Sequence, residues 1–186
     1  IKKNSCSGLI NGPISKKSFL KGRFNGITEY LAEKTNSKNP VMLIYNKKLA
    51  VSPLTTHIPI SEVPNKIKKK DIIVKVRKIN QFYRKYLKRK PRFGVTGLNP
   101  HCESFEKDNK EKKEIIPAIK ILKKNNININ GPLAADTIFL RENRKKFDVI
   151  IGMYHDQVLS PMKTLYGFDA LNITLGLPFI RISPDH

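Results

Sequence analysis

Short apolar runs alternate with amphipathic ones along most of the chain. Runs rich in β-branched and aromatic residues predict strands at Gly8–Asn11, Val41–Tyr45, Lys48–Ser52, Phe93–Thr96, Val149–Met153 and Leu171–Thr174, with a weaker one at Phe179–Ile182. Apolar residues spaced by three and four predict helices at Lys16–Leu20, Thr28–Thr35, Asp71–Leu87, Lys110–Asn125, Ala134–Arg141 and Gln157–Leu165. The clearest is Asp71–Leu87, where Ile72, Val76, Ile79, Tyr83 and Tyr86 share one face. Lys75, Lys78, Lys85 and Lys88 are expected largely on its other, solvated sides. Pro117 interrupts the helical pattern from Lys110, so that element is expected to begin near Ile116. Strands alternating with helices predict an α/β protein with a largely parallel sheet, its functional groups on loops at the carboxyl ends of strands.

Composition narrows the possible classes. The 186 residues are 39% hydrophobic and 27% charged, which excludes a disordered tail or a fibrous protein. This length fits one domain or a large piece of a two-domain protein. No apolar stretch approaches the roughly 20 residues needed to cross a bilayer, and two cysteines, Cys6 and Cys102, make no disulfide framework. A reducing cytoplasm is the expected location. The net charge of +21 first points to nucleic acid; the alternative is a Lys- and Asn-rich composition shared by proteins of the same source. No RGG run, zinc knuckle or helix-turn-helix pattern supports the first reading, so nucleic acid is not the expected partner.

Three of the four histidines follow predicted strands. His57 lies after Ala50–Ser52, His101 in Gly97-Leu98-Asn99-Pro100-His101 after Phe93–Thr96, and His155 in Met153-Tyr154-His155-Asp156-Gln157 after Val149–Gly152. If those strands are parallel neighbours, three imidazoles converge on one sheet edge, a ligand set suited to a divalent metal with an open position for substrate. Taken singly, each reads first as a hydrogen-bonded loop residue; it is their three equivalent positions that favour the metal. Asp156 and Asp136 are candidates for a proton acceptor, for a carboxylate behind a metal-bound histidine, or for a helix cap. Lys163, Asn172 and Arg181 surround the turn Leu175-Gly176-Leu177-Pro178, where cations and amides suit a phosphate or carboxylate.

Longer motifs then give a resemblance. Gly97–His101, Asn130-Gly131-Pro132-Leu133-Ala134-Ala135-Asp136-Thr137, Met153–Gln157 and Asn172-Ile173-Thr174-Leu175-Gly176-Leu177-Pro178-Phe179-Ile180-Arg181 closely resemble the 4-hydroxythreonine-4-phosphate dehydrogenases. Asn11-Gly12-Pro13-Ile14-Ser15-Lys16 and Thr55-Thr56-His57-Ile58-Pro59 match in the same order, so the likeness runs from about Leu9 to His186. The resemblance implies a fold like that of the isocitrate and isopropylmalate dehydrogenases, with two α/β/α lobes around a cleft. It implies an NAD-dependent oxidoreductase (NADP being the alternative cofactor) that uses zinc, magnesium or cobalt. The reaction that the resemblance implies is oxidation of 4-phosphohydroxy-L-threonine followed by decarboxylation, in pyridoxal phosphate biosynthesis. It further implies a homodimer with the metal site shared across the interface.

Carried onto this chain, the resemblance makes His57, His101 and His155 the metal ligands. Thr28, Lys163, Asn172 and Arg181 fall where the family holds its phosphorylated substrate, and Asp156 or Asp136 is the expected base. No Gly-x-Gly-x-x-Gly sequence occurs, so the cofactor seat is not of the Rossmann type. Two departures stand out. Gly26-Ile27-Thr28-Glu29 replaces the usual Gly-His-Thr-Glu, so one substrate contact is lost or supplied by another group. Cys102-Glu103-Ser104-Phe105-Glu106 replaces the family's small, Gly-rich residues after His101. A start on Ile1 and an end on His186 are expected of a piece of a longer protein.

Overall fold

The computed structural model describes residues 27–103 and 109–184, together with Gly8, Ile10, Gly12, Ser15 and Phe24. The predicted strand at 8–11, helix at 16–20 and motif at 11–16 lie outside its continuous segments. Helix α1 (Ile27–Lys34) precedes a hairpin of β1 (Val41–Tyr45) and β2 (Ala50–Pro53). A 3₁₀ turn and the short α2 (Val63–Lys66) lead into the long α3 (Lys69–Tyr86) and then β3 (Phe93–Thr96). A 3₁₀ turn at Pro100–Cys102 and a π turn at Glu111–Ile115 come before α4 (Ile116–Lys124) and β4 (Ile129–Leu133). Short helices α5 (Ala135–Ile138) and α6 (Arg141–Arg144) are followed by β5 (Val149–Gly152), α7 (His155–Tyr166), β6 (Leu171–Leu175) and β7 (Arg181–Pro184).

The strands form one sheet in the order β4-β3-β5-β2-β1-β6-β7. The class is α/β as expected, but the sheet is mixed. β4, β3, β5 and β2 are parallel neighbours, whereas β2/β1, β1/β6 and β6/β7 are antiparallel. The reason is local: only four residues separate Tyr45 from Ala50, which allows a hairpin but no crossover.

Both sheet faces are covered, which explains the continuous apolar runs. Along β5, Val149 and Ile151 enter one core and Ile150 the other; along β1, Leu43 and Ile44 divide in the same way. On the first face α3 inserts Ile72, Val76, Ile79 and Tyr83, and α4 adds Ala118, Ile119 and Leu122. On the second, α7 inserts Val158 and Met162. Asp148 pins the start of β5 to the start of β3 by accepting from the Arg92 main-chain N–H and Nε and from Arg89 Nη1. Burial alone would raise its carboxyl; the Arg92 hydrogen bonds and the two guanidinium charges outweigh that and hold it below the usual carboxylate range. Among the described residues no helix is long and apolar enough to cross a membrane.

Candidate active site

The parallel half of the sheet brings the carboxyl ends of β2, β5 and β3 to one edge, with β5 in the middle. Past those ends, Leu54 N–H donates to Gly152 O, and both the N–H and Oγ1 of Thr55 donate to Met153 O. These bonds hold the segment carrying His57 against the segment carrying His155. The two rings end with centroids 5.7 Å apart. Two imidazoles on one tetrahedral ion have centroids roughly 5 Å apart, given a Zn–N bond of about 2.1 Å, so the pair suits two ligands of a divalent metal. His155 Nδ1 lies 2.9 Å from Asp156 Oδ1, which leaves Nε2 as the ring nitrogen available to a ligand.

His57, His155 and Asp156 line a cavity of about 660 Å³. Thr28, Lys163, Asn172 and Arg181 line the same cavity, so residues far apart in sequence share one site. Arg181 Nη1 donates to Thr28 Oγ1 at 3.1 Å and to Thr174 Oγ1 at 2.8 Å, tying α1 to the antiparallel edge of the sheet. The Lys163 ammonium sits 4.5 Å from the centre of the Phe168 ring.

His101 is elsewhere. It lines a separate cavity of about 240 Å³ with Asp136, Tyr154 and Gln157. Among the described residues no group of three histidine, cysteine or acidic side chains is close enough to hold a metal. The sequence reading of three imidazoles on one edge is therefore met in topology, while within one chain only two of them meet.

Glu111, Gly97 and Gln157, to which the sequence reading gave no role of their own, build this edge. Glu111 is 1% exposed, and its Oε1 accepts from the main-chain N–H groups of Leu98 and Asn99, each at 2.8 Å. That carboxylate clamps the loop bearing His101, in which His101 and Cys102 both adopt left-handed φ (54° and 62°). Gly97 permits the tight loop, since a Cβ there would stand 2.9 Å from Cys102 Sγ. Burial pushes the Cys102 thiol up; the Gly97 backbone bond opposes this, but nearby carboxylates add to it, so the thiol is a poor nucleophile. Gln157 joins the two histidine loops: its Oε1 accepts from Met153 N–H and Thr96 Oγ1, and its Nε2 donates to Gly97 O.

Lys75 was expected on the solvated side of its helix; it is instead 6% exposed and lines the large cavity. Its position was readable, because 75 falls three after Ile72 and four before Ile79, on the apolar stripe itself. Lys78 also spends its charge locally, donating to the carbonyls of Lys38 and Asn39.

A family model described as pyridoxal phosphate biosynthetic protein PdxA matches residues 1–186. The 4-hydroxythreonine-4-phosphate dehydrogenase of Sulfurihydrogenibium sp. (strain YO3AOP1) is 46% identical over 185 residues, covering 97% of this chain and 57% of the relative. That of Aquifex aeolicus (strain VF5) is 44% identical over 187 residues, covering 99% and 58%. The crystal structure of the Klebsiella pneumoniae 4-hydroxythreonine-4-phosphate dehydrogenase matches with a TM-score of 0.82 and 33% identity, over 94% of this chain and 54% of that one. The chain thus spans a little over half the length of these relatives. Motifs, fold and similarity agree, and the chain belongs to the PdxA family of pyridoxal phosphate biosynthetic proteins.

Proposed function

We propose that this chain is the greater part of the catalytic apparatus of an NAD-dependent 4-hydroxythreonine-4-phosphate dehydrogenase, a two-lobed enzyme acting in the cytoplasm. The substrate would be 4-phosphohydroxy-L-threonine, oxidised to 2-amino-3-oxo-4-phosphobutanoate and then decarboxylated to 3-amino-2-oxopropyl phosphate. The observation that carries this reading is the shared cavity: the His57–His155 pair faces the same space as Thr28, Lys163, Asn172 and Arg181. One wall suits a divalent metal and the other a phosphorylated anion.

His57 and His155 would hold a divalent ion, which when bound supplies Lewis-acid polarisation of the substrate oxygen. Asp156 orients the His155 ring through its 2.9 Å contact. Either it or Asp136 accepts the hydroxyl proton, directly or through water. Lys163 and Arg181 neutralise the phosphate, with Thr28 and Asn172 adding neutral hydrogen bonds. Oxidation at the hydroxyl-bearing carbon requires a hydride acceptor, a nicotinamide dinucleotide in this reading.

The site would be completed across a homodimer. Supporting this, His101 and Asp136 line a cavity apart from His57 and His155, and in this reading a second copy supplies the third imidazole. Nucleic acid is not the partner proposed, because the basic helix buries Lys75 and commits Lys78 to carbonyls.

A second reading is favoured by Ile27, an apolar side chain on the cavity wall beside Thr28: a related four-carbon phosphorylated hydroxy acid is the preferred substrate. NADH formation by the full-length protein with each phosphorylated acid and a divalent metal decides between them. His57→Ala and His155→Ala are expected to abolish turnover and metal retention; unchanged metal content and rate in both would refute the reading.

A further inference from the structure

We propose that Lys75 is a substrate-binding cation of the large cavity, its ammonium taking an oxyanion of the substrate, either carboxylate or phosphate. The proposal rests on the cavity being the substrate site. Lys75 projects from α3, and the ammonium is placed by packing: Ile72, Val76 and Ile79 around it are all fully buried. Among the described residues its one hydrogen bond is to Ser52 Oγ, at a long 3.4 Å. Ser52 is already oriented as an acceptor, since its own hydroxyl donates to Met42 O.

A lysine ammonium carries three donors, so two lack an acceptor among the described residues. Asp71, one turn earlier on α3, favours the charge through space without bonding to it, and Lys78 opposes it. A buried cation held only this way is costly unless an anion arrives from outside the chain. Together with Lys75, the cavity wall carries Lys163 and Arg181, three cations against the two carboxylates of Glu29 and Asp156, an excess of one that draws an anion in. Desolvation also pushes the Lys75 ammonium down to about 8, as expected for a charge lacking its counter-ion.

The test uses the full-length protein and the apolar near-isostere Lys75→Met. Dissociation constants for inorganic phosphate and for unphosphorylated 4-hydroxythreonine are measured by calorimetry, and KM and kcat with 4-phosphohydroxy-L-threonine. Lys75→Met is expected to weaken one of the two probes at least tenfold. Loss with phosphate identifies the phosphate, and loss with hydroxythreonine the carboxylate. KM should rise by a similar factor with kcat changing less. Unchanged affinity for both probes overturns the proposal.

Reductive methylation of the unsubstituted protein gives a second, fold-independent measurement. The anion that Lys75 binds should protect it. Equal labelling with and without either anion, or no labelling at all, overturns the proposal. If the unsubstituted protein fails to oxidise the substrate while Lys75→Met still loses a probe, the dehydrogenase reading falls and the Lys75 site stands. If turnover occurs and both proteins bind alike, the reverse holds.

Discussion

At the scale of single residues, the least visible groups do most to shape the site. Glu111 carries no catalytic motif, yet it holds the main-chain N–H groups of Leu98 and Asn99 and so sets where His101 stands. Glu111→Gln keeps one carbonyl oxygen but turns an amide N–H₂ toward Asn99 Nδ2, which now donates to Oε2. We expect a loss of about 1–2 kcal/mol in urea denaturation, together with weaker metal retention; unchanged values would mean the loop is held by something else. Lys75 gives a prediction of opposite sign. Its folded pKa, about 8, lies below its ordinary 10.5, so the unfolded chain binds the extra proton between those values and stability rises with pH across that window. Below pH 8 the full penalty applies, about 3 kcal/mol without ligand. Lys75→Met should therefore be the more stable protein at pH 7 by up to that amount, and the gap in urea denaturation should close near pH 10.5. A gap independent of pH would contradict the account.

At the scale of elements, the strand-to-loop junctions matter most. Gly152 ends β5 immediately before the turn into α7, and a Cβ there would run into Val158. Gly152→Ala is expected to push α7 off the sheet, costing about 1–3 kcal/mol and separating His155 from His57; a thermal melt and metal analysis check both. Most elements were legible in the sequence because their periods are clean. Asp71–Leu87 appears as Lys69–Tyr86, and Leu171–Thr174 as Leu171–Leu175. β4 was not predicted, because Gly131 and Pro132 are poor strand formers; both are tolerated in an edge strand, where one side needs no partner. The single helix expected at Ala134–Arg141 is two short ones. The weak strand at Phe179–Ile182 starts two residues later, at Arg181, in register with Thr174. Lys75 escaped because a lysine among apolar residues was assigned by chemistry rather than by its place on the helical stripe.

At the scale of the whole molecule, strand order decides what one chain can and cannot do. β5 lies between β2 and β3, and the segment after it is tied to both neighbours, by Thr55 to the His57 side and by Gln157 to the His101 loop, but only the His57 ring meets that of His155. His101 is left facing a different cavity with Asp136. In the proposed reading a site using all three imidazoles is intermolecular, and a symmetric dimer would carry two of them. Mixing tests this directly. His57→Ala and His101→Ala are each expected to be inactive alone. Co-refolded in equal amounts they produce hybrid dimers in which one site carries both lesions and the other none. The mixture should then recover about a quarter of the unsubstituted rate, whereas a mixture no more active than either variant alone would show that each site is built within a single chain.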